Sequence, residues 1–226
     1  MTLKVEDKEI VIPGQVLAQG LDYLPTEGTI RDKDDILSEK LGIASIKGRM
    51  IKVIPLGGNY VAKQGDRVIG IVEDILFSGW LVNIGGPFLA TLPLRDTSEY
   101  IERGADLGKY YGIGDIISTE VTRITRLKNI DVSMKQREFG KLIGGKIINV
   151  IPTKIPRIIG KQGSMINLIK DNTGCTITVG QNGKVWLKGE SPEKEVLATK
   201  AIELINKESH LEGLTDKVTK LLKNGI

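Results

Sequence analysis

The chemistry available to this 226-residue chain lies in its cations, glycines and few flat rings rather than in nucleophiles. In Ile159-Gly160-Lys161-Gln162-Gly163-Ser164, two glycines flank a lysine and a glutamine. Lacking Cβ atoms, Gly160 and Gly163 let a phosphodiester backbone approach closely, and Lys161 supplies positive charge. The N–H groups opening the helix that follows point toward a bound anion, and the helix dipole adds attraction. Arg157 belongs to the same basic stretch: residues 141–170 carry six basic residues and no acidic one. Ile159 and Ile166 are placed to border an apolar groove for bases.

A second group lies earlier in the chain. Arg123, Arg126 and Lys128 sit on and beside a basic loop at 125–129, where they would meet phosphates. Phe77, Trp80 and Phe88 are close together in a chain with 2 Trp, 5 Tyr and 3 Phe. An exposed ring offers a base about 1–3 kcal/mol of stacking. Trp80 and Phe88 lead into strands and serve equally well as core filling. Phe77, beside Gly79 in a turn, is the better surface candidate.

The elements that must hold these groups read as a multidomain α+β chain in three pieces. Residues 1–60 form a β-rich domain, with strands at 9–12, 16–18, 41–46 and 50–55, a Pro13-Gly14 turn, and polar connectors at 26–28 and 31–35. Residues 61–138 suit an oligonucleotide-binding barrel of five strands, at 66–75, 80–84, 88–92, 116–124 and 130–133. A polar excursion with a short helix at 98–103 separates the third strand from the fourth. Residues 140–208 run as a strand (146–151), a short helix (155–159), and a second helix capped by Ser164, burying Met165, Ile166 and Ile169 and stopped by Gly174. A hairpin follows, 175–179 and 184–188, across Gly180-Gln181-Asn182-Gly183. Ser191-Pro192 then opens a helix with Leu197, Ala198, Ala201, Ile202 and Ile205 at helical spacing. In 209–226, Leu214, Val218, Leu221 and Leu222 give an amphipathic helix that packs on the body or on a partner.

Composition closes off other chemistries. One cysteine, Cys175, and one histidine, His210, exclude an internal disulfide, a Cys/His zinc site and a Cys–His dyad, and argue against a Ser–His–Asp triad. Cys175 reads as buried filler and His210 as exposed. Asp34-Asp35 has no third carboxylate to complete a cation site, so neither metal nor cofactor is expected. No run of about 18 apolar residues could cross a membrane, and the charged start lacks a secretion signal, which together suggest a reducing, cytoplasmic setting. Net charge is +4, unevenly spread. Residues 1–40 hold five basic and nine acidic residues, a net of −4, and the remainder holds 27 and 19, a net of +8. Such asymmetry joins a polyanion-binding portion to one with another task.

Three resemblances follow from these residues. Gly65-Asp66-Arg67-Val68-Ile69-Gly70, Phe77-Ser78-Gly79-Trp80-Leu81-Val82, Gly114-Asp115 with Val121, and Ile130-Asp131-Val132-Ser133 resemble the S-one RNA-binding domain. That family often carries His and Asp as RNA contacts where this chain has Pro93 and Thr125, so backbone and stacking contacts are implied rather than base-specific ones. The βααββα order around Gly160-Lys161-Gln162-Gly163 resembles a type I KH domain. Barrel then KH, after a strand-rich segment with Ile12-Pro13-Gly14-Gln15, resembles the RNA-binding cap subunit of the archaeal exosome over essentially the whole chain. The resemblance implies a non-catalytic subunit, three copies of which sit on a hexameric ring of ribonuclease-PH-like subunits. The N-terminal domain, with Pro13 and Gly14, would grip the ring. Barrel and KH domain would guide single-stranded RNA to the pore for 3′–5′ degradation. The alternatives are an S-one/KH transcription elongation or antitermination factor, which usually has two KH domains, and a free-standing nuclease such as polynucleotide phosphorylase, whose catalytic domains are missing here.

Overall fold

Short alternating strands build the first part of the chain. In the computed structural model, which describes residues 2–102, 104–209 and 213–224, contacts divide the protein into two units, Met1–Gly58 and Asn59–Ile226. The first holds β1 (Thr2–Leu3), β2 (Ile10–Val11), β3 (Val16–Gln19), β4 (Leu24–Pro25), β5 (Thr29–Asp32), β6 (Asp35–Ser38), β7 (Gly42–Lys47) and β8 (Met50–Pro55). They make two four-stranded sheets, β1-β3-β6-β5 and β2-β7-β8-β4, around Val11, Leu17, Ala18, Ile36, Ala44, Ile51 and Val53. Residues 31–35 are not a connector. Arg31 pairs with Ile36 and Asp32 with Asp35 across a turn at Lys33-Asp34. Asp32 and Asp35 take outward positions there, and Arg31, half-buried opposite Ile36, finds partners in the Gly20 and Tyr23 carbonyls.

The second unit opens with a closed barrel. Its strands are β9 (Arg67–Leu76), β10 (Gly79–Asn83), β11 (Ala90–Pro93), β12 (Ile116–Ile124) and β13 (Ile130–Ser133). Antiparallel pairing links β10 to β11, β10 to β9, β12 to β9 and β12 to β13, and parallel pairing of β11 with β13 completes the circle. A two-residue strand, β14 (Gly140–Lys141), lies along β12. Inside are Val68, Val72, Trp80, Val82, Leu92, Ile117, Val121 and Val132. The excursion contains 3₁₀ turns at Leu94–Asp96 and Leu107–Lys109, and residues 98–102 are not helical. Thr97 instead donates its hydroxyl toward the carbonyls of Leu94 and Glu99, which ties this segment into a turn. Arg103, the last residue of the expected helix, is outside the described residues.

The rest of this unit has the expected βααββα order: β15 (Lys146–Asn149), α1 (Ile155–Ile159), α2 (Ser164–Thr173), β16 (Thr176–Val179), β17 (Lys184–Lys188) and α3 (Pro192–Glu208), then α4 (Leu214–Asn224). The antiparallel sheet β15-β17-β16 carries the helices on one face, around Ile148, Ile158, Ile169, Val185, Leu187, Ala201 and Ile205. Ser191 caps α3 by accepting from the Lys194 N–H. Ser164 does not cap α2: Gly163 holds the cap position and no side chain bonds there. Leu214, Val218 and Leu222 of α4 join the same core, so the tail packs on the body. His210 is outside the described residues.

The opposite face of that sheet meets the barrel. Lys184 Nζ lies 3.4 Å from the Asn83 carbonyl, and Trp186 Nε1 donates to Gly144 at 2.8 Å. The turn between β16 and β17 forms the joint. Gln181 N–H donates to Arg67 O at 2.8 Å, and Arg67 N–H returns a bond to Gln181 Oε1 at 2.7 Å. Asn182, 5% exposed, accepts from Ile69 N–H at 3.3 Å and donates to Ile69 O and Ile84 O, both at 2.7 Å.

Candidate nucleic-acid interface

The glycine-flanked loop joins α1 to α2 in backbone conformations that L side chains avoid. Gly160, Gln162 and Gly163 have φ of 77°, 53° and 80°. The two glycines are needed for different reasons. A Cβ on Gly160 would lie 2.6 Å from Met165 N, whereas one on Gly163 would meet nothing closer than Asn167 Nδ2 at 3.6 Å. Gly160 thus lets the chain pass against the start of α2, and Gly163 supplies the left-handed bend. Lys161 and Gln162 are exposed at this bend, as is Arg157 on α1. Ile159 is half-buried and lines the surface, but Ile166 is largely inside the core with Met165 and Ile169.

The barrel separates the aromatic residues that the sequence sets close together. β9, β11 and β13 run one way and β10 and β12 the other. The Leu76–Gly79 turn therefore lies at one end, while the loops before β11 and between β12 and β13 lie at the opposite end. Phe77 stands fully exposed at the first end. Phe88, 47% exposed just before β11, shares the second with Arg126, Leu127 and Lys128. Trp80 offers no face at all. It is fully buried, its indole N–H donates to Tyr111 O at 2.9 Å, and the Tyr111 ring meets it edge-on with centroids 5.1 Å apart. Its expected stacking role is corrected to core filling, because the excursion folds a tyrosine over it.

Electrostatics favour the second end. Among the described residues, ion pairs engage Arg67, Arg95, Lys109, Lys135, Lys141, Lys194 and Lys217. Arg123, Arg126, Lys128, Arg157 and Lys161 take part in none of these. Cations without internal partners hold counterions that a phosphate chain would release. The joint to the KH module is at this same end, since Asn182 binds Ile69 and Ile84. There, burial holds the Lys184 ammonium below its ordinary pKa although Glu73 pulls it back up. Among the described residues no cluster of His, Cys, Asp and Glu could hold a metal.

The first unit carries a different surface. Ile10 pairs with Ile43, and Ile43 with Ile54, so three isoleucines form a row across β2, β7 and β8 on the face turned from the core. Ile10 is 62% and Ile54 48% exposed. The exposed Pro13-Gly14 turn follows β2 after Ile12. Neither the row nor the Gln181-Asn182 joint emerges from the sequence reading. The row did leave a signal: residues 9–12 and 50–55 place apolar side chains on both faces of the strand, the pattern of a sheet meant to be covered twice. The joint left none, since Asn-Gly is the ordinary chemistry of a hairpin turn.

Comparison with known proteins decides the family. The KH domain family matches residues 145–207. The exosome complex component Rrp4 of Pyrococcus horikoshii is 46% identical over 222 residues, covering 96% of this chain and 83% of that protein. The chain belongs to the Rrp4 family of exosome components. Rrp4 of Methanothermus fervidus is 40% identical, with 99% of each chain covered. A crystal structure described as an exosome complex RNA-binding protein aligns with a TM-score of 0.67 at 28% identity, over 74% of this chain and 97% of that one. The Rrp4 relatives thus span unit 1, barrel and KH module together. No helix among the described residues is long and apolar enough to cross a membrane.

Proposed function

We propose that this chain is a non-catalytic cap subunit of a cytoplasmic exosome. It captures single-stranded RNA and passes it to the pore of a hexameric ribonuclease-PH-like ring for 3′–5′ degradation, with three copies on each ring. The carrying observation is the set of exposed, unpaired cations in the second unit: Arg157 and Lys161 around the glycine loop, and Arg123, Arg126 and Lys128 at the barrel end that bears Phe88. Phosphates would settle against the loop and the opening N–H groups of α2, while Phe88, and Phe77 at the far end, offer faces to bases. In the first unit, the Ile10–Ile43–Ile54 row and the adjoining Pro13-Gly14 turn supply an apolar surface for the ring.

Replacing Lys161 and Gln162 together with Asp puts negative charge where phosphates would lie. Oligouridylate affinity at low salt should fall at least tenfold, as read by fluorescence anisotropy. Unchanged affinity would remove the KH loop from the RNA path. The purified chain incubated with the same RNA, phosphate and Mg²⁺ should leave the RNA intact, and shortening of the RNA would defeat the non-catalytic reading.

A further inference from the structure

We infer that Asn206 and Lys154 form a clasp that positions the glycine loop for RNA: the end of α3 holds the segment leading into α1, and so holds the loop that α1 carries. The inference rests on the RNA-binding reading above and adds two positioning residues to it, neither of them an RNA contact.

The loop is carried on a short helical run. β15 ends at Asn149, and a 3₁₀ turn at Pro152–Lys154 passes directly into α1. Gly160 N–H then closes the last turn on Pro156 O at 3.0 Å. Pro152 and Pro156 fix φ at two points of this run, so it has no loose joint between its start and Gly160. A five-residue helix does not hold itself in water. Ile155 and Ile158 anchor one side of α1 in the core. Among the described residues, neither the 3₁₀ turn nor α1 has a side chain of its own bonded at its cap. Asn206 takes that part from the far side of the module. Ile151 N–H donates to Asn206 Oδ1 at 3.2 Å, and Lys154 Nζ donates to the Asn206 carbonyl at 2.5 Å. Asn206 lies in the last turn of α3, where carbonyls lack partners within the helix and a cation is favoured. Each element therefore satisfies the other: α3 supplies an acceptor to the start of the run, and the run returns a cation to the end of α3. By sequence Lys154 belongs to the basic stretch at 141–170, yet its ammonium is committed to α3. Arg157 and Lys161, on the same run, are exposed and stand outside the ion pairs described above.

The test titrates labelled oligouridylate with the full chain at a series of salt concentrations, read by fluorescence anisotropy. Asn206→Ala and Lys154→Met should each lower affinity about threefold to tenfold at low salt. Both should leave the slope of log affinity against log salt as it is in the unaltered chain. Lys161→Ala, which loses a phosphate contact, should reduce that slope by about 0.7. A double-mutant cycle separates positioning from a general loss of structure: added to Lys161→Asp with Gln162→Asp, Asn206→Ala should lower affinity no further, because the loop it positions no longer binds. Circular dichroism checks the fold, and Lys154→Met, which keeps an apolar stem, carries the cycle if Asn206→Ala does not fold. Unaltered affinity in both clasp variants overturns the inference, as does an equal loss with and without the aspartates in the loop. A slope reduced by Lys154→Met also overturns it, since that lysine would then be a phosphate contact. If the aspartate pair itself leaves affinity unchanged, the RNA reading of the loop fails. If the pair weakens binding while both clasp variants bind as the unaltered chain does, this inference alone fails.

Discussion

Gly160 and Gly163 look interchangeable in sequence and are unequal in the fold. Both hold a positive φ, Gly163 in the left-handed region and Gly160 in an extended one, which costs an L residue about 1–3 kcal/mol. Only Gly160 also faces a backbone nitrogen at 2.6 Å from the Cβ it lacks. Gly163→Ala should therefore destabilise the chain by about 1 kcal/mol and Gly160→Ala by at least twice that, read by thermal unfolding. Equal losses would mean that the α2 start yields freely. Thr119 makes the opposite case. It points into the barrel from β12, fully buried, and among the described residues its hydroxyl has no hydrogen-bond partner. Thr119→Val keeps the shape and removes the stranded oxygen, so stability should rise by about 1 kcal/mol. A lower melting temperature would show that the hydroxyl is satisfied in solution. The glycine loop was legible because its residue types are the mechanism. Thr119 was not, since a threonine on a strand carries no mark of what surrounds it.

Strands and helices were legible where alternation or helical spacing was undisturbed. Residues 116–124, 130–133, 155–159 and 184–188 are elements with those same bounds. The hairpin of β5 and β6 stayed hidden because its arms are only four residues long and its inward positions, Thr29, Arg31 and Ser38 beside Ile36, are mostly polar while Ile30 faces outward, so no period-2 apolar signal forms. Trp80 shows the other limit, as periodicity places a ring on a strand face but does not say that Tyr111 arrives from a distant excursion to cover it. At the edge of the barrel, β14 is fastened to the start of β12 by Lys141 and Asp115, which form an ion pair. Burial raises the Asp115 carboxyl, but bonds from Lys141 and the Gly112 N–H outweigh it, so the group titrates below its ordinary value of 3.8. A carboxylate depressed in the fold stabilises above its ordinary value and loses that contribution as pH falls through the folded one. Asp115→Asn keeps the shape and should cost about 1 kcal/mol or less at pH 7, since both partners are partly exposed. The difference from the unaltered chain should close as pH falls below the ordinary value of 3.8, in urea titrations at a series of pH values. A gap that stays constant with pH would assign the loss to packing instead.

Over the whole molecule, charge is spread unevenly along the chain. Residues 1–40 are net acidic and the remainder net basic, and the exposed isoleucine row lies in the first unit. Ile10→Lys with Ile54→Lys should leave melting of the chain within about 0.5 kcal/mol of its unaltered value, because both side chains already face solvent. The same pair should abolish co-purification with ring subunits, read by native mass spectrometry. Retained assembly would move the docking surface elsewhere on the unit. The Asn182 joint reaches further. Its amide stands in for a missing strand neighbour, completing the barrel wall at Ile69 and Ile84 from outside the barrel's own stretch of chain. A barrel expressed without its companion, or a chimera carrying a KH module from another protein, would leave an N–H and two carbonyls of that wall bare. A replacement module would therefore have to bring an equivalent of this four-residue turn with it.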